Sequence, residues 1–319
     1  MMWYCFVRED LDLLSDDDPL MIQSMYAKDI RAFCMIDLSA GVILDRDNTV
    51  MDLSGKRVLV RGTCDSLPTA LMLLQQRNCH LLETEADIMK ILHWELLQQA
   101  KRKIISLKVG YLLSGYLSDA ARAMLEEHAC VFIKSREKGF TARVSSGRLL
   151  NRDPAVMAVI QKHCPPDAEI LVSELMNIKC DSLGKKESRH FVMDNRIQNS
   201  SRPIHSLVHS VPKTLLCEAD KIVKQIAEIE GFPDNYVLDL GLVEKNGETI
   251  VDIIEINPIG SAMCYVNNSI FPGVPHEDST VSYGREYQLD MIRNPLRYRA
   301  KRFSGEKFDY CSVEQYEFL

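Results

Sequence analysis

The chain has 319 residues, 46% of them hydrophobic and 26% charged, with ten cysteines and a formal net charge of −7. This balance fits a globular protein with one large core or two smaller ones, and the negative charge argues against a general nucleic-acid-binding surface. No apolar run approaches the roughly 18 residues that span a bilayer, the start MMWYCFVRED is not a basic-then-apolar targeting segment, and no CxxC pair occurs; a cytoplasmic protein with reduced, mostly buried thiols is expected.

Taken in order, the first hundred residues read as a small α/β unit. Trp3 to Arg8 is a candidate strand, followed by the acidic surface loop DLDLLSDDDP, and Lys56 to Arg61 (KRVLVR) is a strand between Gly55 and Gly62. Asp65-Ser66-Leu67-Pro68 starts a helix, and apolar residues at helical spacing (Ile88, Ile91, Leu92, Leu96) predict a second over Glu83 to Gln99. A helix over Leu117 to His128, a strand over Cys130 to Lys134, a break at Lys138-Gly139 and a strand over Phe140 to Val144 follow. Ile170 to Leu175 is a further apolar strand. Arg189 to Met193 opens a hairpin turning at Asp194-Asn195, and a helix over Cys217 to Glu230 ends at Gly231 and Pro233. His205 and His209 in HSLVH, and the basic stretch from Arg293 to Lys307, read as solvated surface.

The segment YVLDLGLVEKNGETIVDIIEINPIG, Tyr236 to Gly260, reads as one hairpin carrying Asp239, Glu255 and Asn257. Side chains on a strand alternate faces, so Glu255 and Asn257 point the same way. A two-residue Asn246-Gly247 turn pairs Asp239 with Ile254 and turns Glu255 to the opposite face. A three-residue Lys245-Asn246-Gly247 loop sets Glu255 diagonally beside Asp239, roughly 7 to 8 Å away. Magnesium takes hard oxygen donors and few protein carboxylates, so a magnesium site here requires the longer loop, although Asn-Gly alone favours the shorter. The neighbouring Val251, Ile253, Ile254 and Ile256 make the strand apolar on both faces, where an unpaired carboxylate is costly.

The order VFIKS, ILVSEL, ESRHFV, then a DLG strand paired with EINP, resembles the ATP-grasp superfamily, in a divergent, glycine-poor branch that also includes eukaryotic cell-division and translation-initiation-factor assembly proteins. The resemblance implies an α/β protein in which a small N-terminal α/β domain, residues 1–85, precedes a two-subdomain ATP-grasp domain with antiparallel sheets, residues 86–275, and a C-terminal extension, residues 276–319. It implies ATP and Mg2+ as cofactors. Lys134 would reach the α- or β-phosphate, the backbone of Glu174 and Leu175 would meet the adenine edge, and Arg189 would meet phosphate, with an ion pair to Glu187 as its bland alternative. Asp239, Glu255 and Asn257 match the magnesium ligands, Glu255 bridging two ions. The loop SREKGFTARV offers only Gly139 where many members are glycine-rich, so Lys138 would close over the nucleotide; the family's earlier lysine is Lys90, Lys101 or Lys103.

The implied activity is a carboxylate–amine or carboxylate–thiol ligase acting through an acyl phosphate, with ATP, a carboxylate and a nucleophile as partners. A nucleotide-binding assembly factor or chaperone and a small-molecule kinase are the alternatives on the same scaffold.

Overall fold

A computed structural model describes residues 2–8, 33–45, 48–62, 66–136, 140–181, 184–201, 211–262 and 314–318. The Lys138-Gly139 break, the His205/His209 pair and the basic stretch 293–307 lie outside the described residues.

The chain opens with strands β1 (Met2–Val7), β2 (Phe33–Asp37), β3 (Val42–Leu44) and β4 (Arg57–Arg61), helix α1 (Leu67–Gln76), strand β5 (His80–Leu81) and helix α2 (Glu85–Leu92). There follow β6 (Ile104–Lys108), α3 (Val109–Ser114), α4 (Asp119–Glu127), β7 (Cys130–Ser135), β8 (Phe140–Ser145), α5 (Ser146–Leu150), α6 (Pro154–His163) and β9 (Glu169–Glu174). The last elements are β10 (Cys180–Asp181), β11 (Gly184–Lys185), β12 (Glu187–Met193), β13 (Arg196–Ser201), α7 (Lys213–Ala227), β14 (Tyr236–Lys245), β15 (Glu248–Asn257) and β16 (Glu314–Phe318). They divide into two units, one of Met1–Trp94, Ile178–Leu242 and Ile253–Tyr310, the other of Glu95–Asn177, Val243–Asp252 and Cys311–Leu319.

The first unit begins with a sheet of order β3-β2-β1-β4-β5. β1 pairs in parallel with both β2 and β4, and only β3 runs antiparallel. A parallel sheet is covered on both faces, which explains why Val58, Leu59 and Val60 are all buried in succession. Leu67, Ala70, Leu71 and Leu74 of α1 complete this core, each large apolar side chain contributing about 1.5–3 kcal/mol by its burial. The β1–β2 register sets Cys5 opposite Cys34 with Cα atoms 4.8 Å apart, and the two form a disulfide. The expectation of reduced thiols is corrected for this pair: the crossover joining the strands hides their adjacency from sequence spacing. Cys79, Cys130, Cys164, Cys180 and Cys217 are free.

The expected helix over Glu83 to Gln99 is shorter. Thr84 and Asp87 form a reciprocal capping box that starts α2, the helix stops before His93, and a 3-10 turn covers Trp94–Leu97. Trp94 turns inward while Leu96 is 69% exposed, so the apolar spacing that suggests one continuous face breaks there.

The second sheet has the order β13-β12-β14-β15. β12 pairs antiparallel with β13 and β14. Its two-residue turn, Asp194 (φ 51°) and Asn195 (φ 55°), has the left-handed backbone that matches strand twist, as the sequence predicts. α7 packs against β12 and β13 through Leu215, Ala219, Ile222, Val223 and Ile226, one helical face. The other unit is built on a sheet of order β16-β8-β7-β9-β6, antiparallel except where β16 joins β8. Val131 and Ile133 of β7 enter a core with Phe140, Val144, Leu149, Ile160 and Val172, and Phe318 packs against it. The far end of the chain thus supplies an edge strand, where the sequence suggests only an extension.

His190 on β12 is fully buried between Ser188 Oγ (2.7 Å from Nε2) and Ser200 Oγ (2.8 Å from Nδ1). Burial lowers its pKa from 6.5 to about 4. The folded chain therefore binds fewer protons than the unfolded chain between these values, and stability rises with pH across that window. The contribution is fully present above pH 6.5 and lost as pH falls through about 4, up to about 3 kcal/mol. In an NMR titration His190 stays neutral down to about pH 4; protonation near 6.5 in the folded protein contradicts this burial.

Candidate active site

Strand register builds the polar cluster in the first unit. The β12–β14 pairing sets Arg189 directly opposite Asp239 and Glu187 opposite Gly241. Arg189 donates from Nε to Asp239 Oδ1 at 2.8 Å and from Nη2 to Oδ2 at 2.6 Å, with both side chains 8% exposed. A planar guanidinium matches a carboxylate in this way, and the charge assistance strengthens both bonds. The partner is Asp239, where the sequence offers Glu187. The Glu187 carboxyl is instead 3.7 Å from Lys185 Nζ, and burial pushes its pKa up, opposed by Lys185 and reinforced by Asp239.

Asn257 ties the hairpin to this pair. Its Nδ2 donates to Asp239 Oδ2 at 3.0 Å and to Glu255 Oε1 at 2.9 Å. Asp239 and Asn257 are buried and Glu255 is half-buried. The hairpin turn, however, is the shorter one: β14 ends at Lys245, β15 begins at Glu248, and Asn246 (φ 54°) and Gly247 (φ 81°) are both left-handed. The three-residue loop required on sequence grounds is absent because Asn-Gly supplies the favoured two-residue geometry. Strict alternation from that turn would send Asp239 and Asn257 to opposite faces. Their hydrogen bond means the regular ladder does not run unbroken from turn to site.

The donor set fits a hard cation. Two carboxylate oxygens lie within 3.0 Å of one buried nitrogen, so the space they enclose suits a small positive centre. Rotating the Asn257 amide by 180° replaces Nδ2 with Oδ1, a third oxygen donor, and amide orientation is an assignment made from the hydrogen-bond network. Magnesium prefers such oxygens. Among the described residues no group of three or more His, Cys, Asp or Glu side chains could hold a metal ion, so the amide and phosphate or water oxygens would complete the shell.

The other unit carries Lys134, Glu174 and Leu175. Lys134 alternates with Ile133 and Ser135 along β7, so it stands on the face away from the Val131–Ile133 core. The Glu174 side chain accepts from Lys103 N–H at 2.9 Å and Lys245 Nζ at 3.0 Å; burial opposes its ionisation, but these partners prevail and hold its pKa below the usual range. Its own N–H donates to the Lys103 carbonyl, and its C=O accepts from Ser173 Oγ at 3.2 Å. A carbonyl oxygen has a second lone pair, which can still meet a ligand edge. Of the three candidate lysines, Lys90 donates to the Gly231 carbonyl at 2.6 Å, the Lys101 N–H donates to Asp252, and Lys103 is ion-paired with Glu127. A cleft of about 480 Å³ opens beside Arg102, Lys103, Ala123 and Glu127, and neither Lys134 nor Leu175 lines it. Lys138 lies outside the described residues.

A family model of the ATP-grasp domain, the second family of its clade, matches residues 101–270. Among solved structures, D-alanyl-alanine synthetase A from Vibrio cholerae has a TM-score of 0.52 at 10% identity, covering 93% of this chain and 99% of that one. The ATP-grasp ligase PsnB, complexed with the precursor peptide PsnA2 and AMPPNP, has a TM-score of 0.48 at 13% identity, covering 82% of this chain and 89% of that one. D-alanine–D-alanine ligase from Bacillus anthracis, complexed with ATP, has a TM-score of 0.49 at 13% identity, covering 94% and 99%. No curated protein matches the chain.

Removing Arg189 leaves Asp239 buried without its cationic partner. Arg189→Met lowers unfolding free energy by about 3–5 kcal/mol in urea titrations, and adding Asp239→Leu restores most of the loss. Equal losses in the single and double variants would show that the pair is not the unit that matters.

Proposed function

The chain belongs to the ATP-grasp domain family, and from that premise we propose that it is a magnesium-dependent ligase using ATP to join a carboxylate to an amine or thiol. The observation that carries this reading is the convergence of Asp239 and Glu255 on the Asn257 amide beside Arg189.

A carboxylate resists nucleophiles because it is negatively charged and its oxide is a poor leaving group. Its oxygen attacks the γ-phosphorus, the bond to the β-phosphate oxygen breaks, and ADP leaves. The resulting acyl phosphate accepts the amine or thiol, a proton is released, and inorganic phosphate departs with the electron pair. The residues supply positioning and charge for these steps. Asp239, Glu255 and Asn257 would hold magnesium, which when bound draws charge from the phosphate oxygens. Arg189 offers a permanent planar cation to the transferring group, although in the structure it is engaged by Asp239. Lys134 serves as the α- or β-phosphate contact, with Glu174 and Leu175 main-chain groups at the adenine and Lys138 over the phosphates. No helix among the described residues is long and apolar enough to cross a membrane, and a cytoplasmic location is part of the proposal.

Isothermal titration of Mg-ATP into wild type and Glu255→Ala tests the site. Micromolar binding in wild type, weakened at least about tenfold in the variant, is expected. Absence of binding by folded wild type sinks the nucleotide reading. Hydroxylamine added with ATP and a mixture of carboxylates traps an acyl phosphate as hydroxamate. ADP formation yielding a stable phosphorylated product instead would indicate a kinase.

A further inference from the structure

The segment that follows β15 is locked to the first parallel sheet by four hydrogen bonds. Glu83 Oε1 accepts the Ile259 N–H at 2.7 Å and Oε2 accepts the Gly260 N–H at 3.0 Å. Arg61 Nη1 donates to the Ile259 carbonyl at 2.7 Å, and the Gly62 N–H donates to the Gly260 carbonyl at 3.2 Å. Both main-chain groups of Ile259 and Gly260 are thereby satisfied by residues at the end of β4 and just beyond β5. Glu83 is 3% exposed and Arg61 2%. Burial pushes the Glu83 carboxyl up to about 7, against the opposing pull of the two N–H groups and Arg61.

The packing tolerates nothing larger at the contact. A Cβ on Gly260 would lie 2.7 Å from Glu83 Oε2, 2.8 Å from the Val60 carbonyl and 3.0 Å from Leu67 Cδ2. The turn is closed on itself by the Ala262 N–H, which donates to the Pro258 carbonyl at 3.0 Å. Asn257 stands immediately before this clamp, with Pro258 as the only residue between it and Ile259. Proline fixes its own φ and restricts the residue before it to extended backbone, so little freedom separates the clamped pair from the Asn257 main chain.

We propose that Glu83 and Arg61 are positioning residues that hold the Pro258–Gly260 turn and so set Asn257 for cation binding. This rests on the reading of Asn257 as a magnesium ligand. A buried carboxyl and a buried guanidinium are an expensive way to fasten a surface turn, since each is costly to desolvate and each loses these partners if the backbone moves. They suit a place where a backbone segment must not shift. Outer partners of this kind orient the groups that touch a metal, and their loss weakens metal affinity without removing a ligand.

The experiment measures ATP binding by calorimetry across a magnesium series for wild type, Glu83→Gln, Arg61→Gln and Asn257→Ala, with ATP binding in EDTA beside it. Glu83→Gln replaces one acceptor with an amide N–H2 that opposes a backbone N–H. It is expected to raise the half-saturating magnesium about 10–100-fold while leaving ATP affinity in EDTA unchanged. Arg61→Gln moves the requirement the same way, and decides the matter should Glu83→Gln fail to fold. A shift in Asn257→Ala with none in either folded clamp variant overturns this inference alone. Equal losses with and without magnesium also overturn it, because they indicate a general structural role. No shift in Asn257→Ala overturns the metal reading itself, and this inference with it.

Discussion

A charged carboxylate buried as deeply as Asp239 costs roughly several kcal/mol unless it is paired and hydrogen-bonded. The β12–β14 register answers that requirement by placing Arg189 directly across from it. Once Asp239 is fixed by two bonds from Arg189, its Oδ2 is the acceptor to which Asn257 is drawn, and Asn257 in turn holds Glu255. The polar cluster is therefore a consequence of one cross-strand pair. It also explains how three acidic side chains, Asp239, Glu255 and Glu187, can be gathered near one another in a largely apolar sheet.

The same arrangement suggests how the cluster is kept intact between substrates. Asn257 Nδ2 and the Arg189 guanidinium occupy the acceptor oxygens that a cation would take, so the carboxylates are not left to repel one another. Exchange of these donors for a metal needs only an amide rotation and partial release of a guanidinium, with the backbone unmoved. A rigid backbone is what the Glu83 and Arg61 bonds to Ile259 and Gly260 provide.

Much of this is legible in the sequence where local chemistry decides. β7, β8, β9, β14 and β15 follow alternation or apolar runs bounded by breakers, and the Asp194-Asn195 turn is chosen by residues that tolerate left-handed backbone. Asp239, Glu255 and Asn257 stand out because carboxylates and an amide in an otherwise apolar hairpin are conspicuous. What escapes a sequence reading is set by distant partners or by competing demands. At Asn246-Gly247 a metal site appears to demand a longer loop, yet the propensity of the two turn residues prevails. The β2, β3 and β6 strands and helices α3, α5 and α6 carry too few residues, or too mixed a pattern, to be recognised alone. Glu83 has the look of a first helical residue; its carboxylate serves a turn 176 residues away, a relation no local window contains. The Cys5–Cys34 bridge is hidden likewise by the crossover between parallel strands.

The central claim is that Asp239, Glu255 and Asn257 exchange their mutual hydrogen bonds for a divalent cation when nucleotide binds. It is tested most directly by an anomalous difference map from crystals soaked with manganese and a non-hydrolysable ATP analogue. The expected result is a peak within coordination distance of an Asp239 oxygen, a Glu255 oxygen and Asn257 Oδ1, with the amide turned from its present orientation. Nucleotide bound with manganese elsewhere, and Asn257 Nδ2 still donating to both carboxylates, would contradict it.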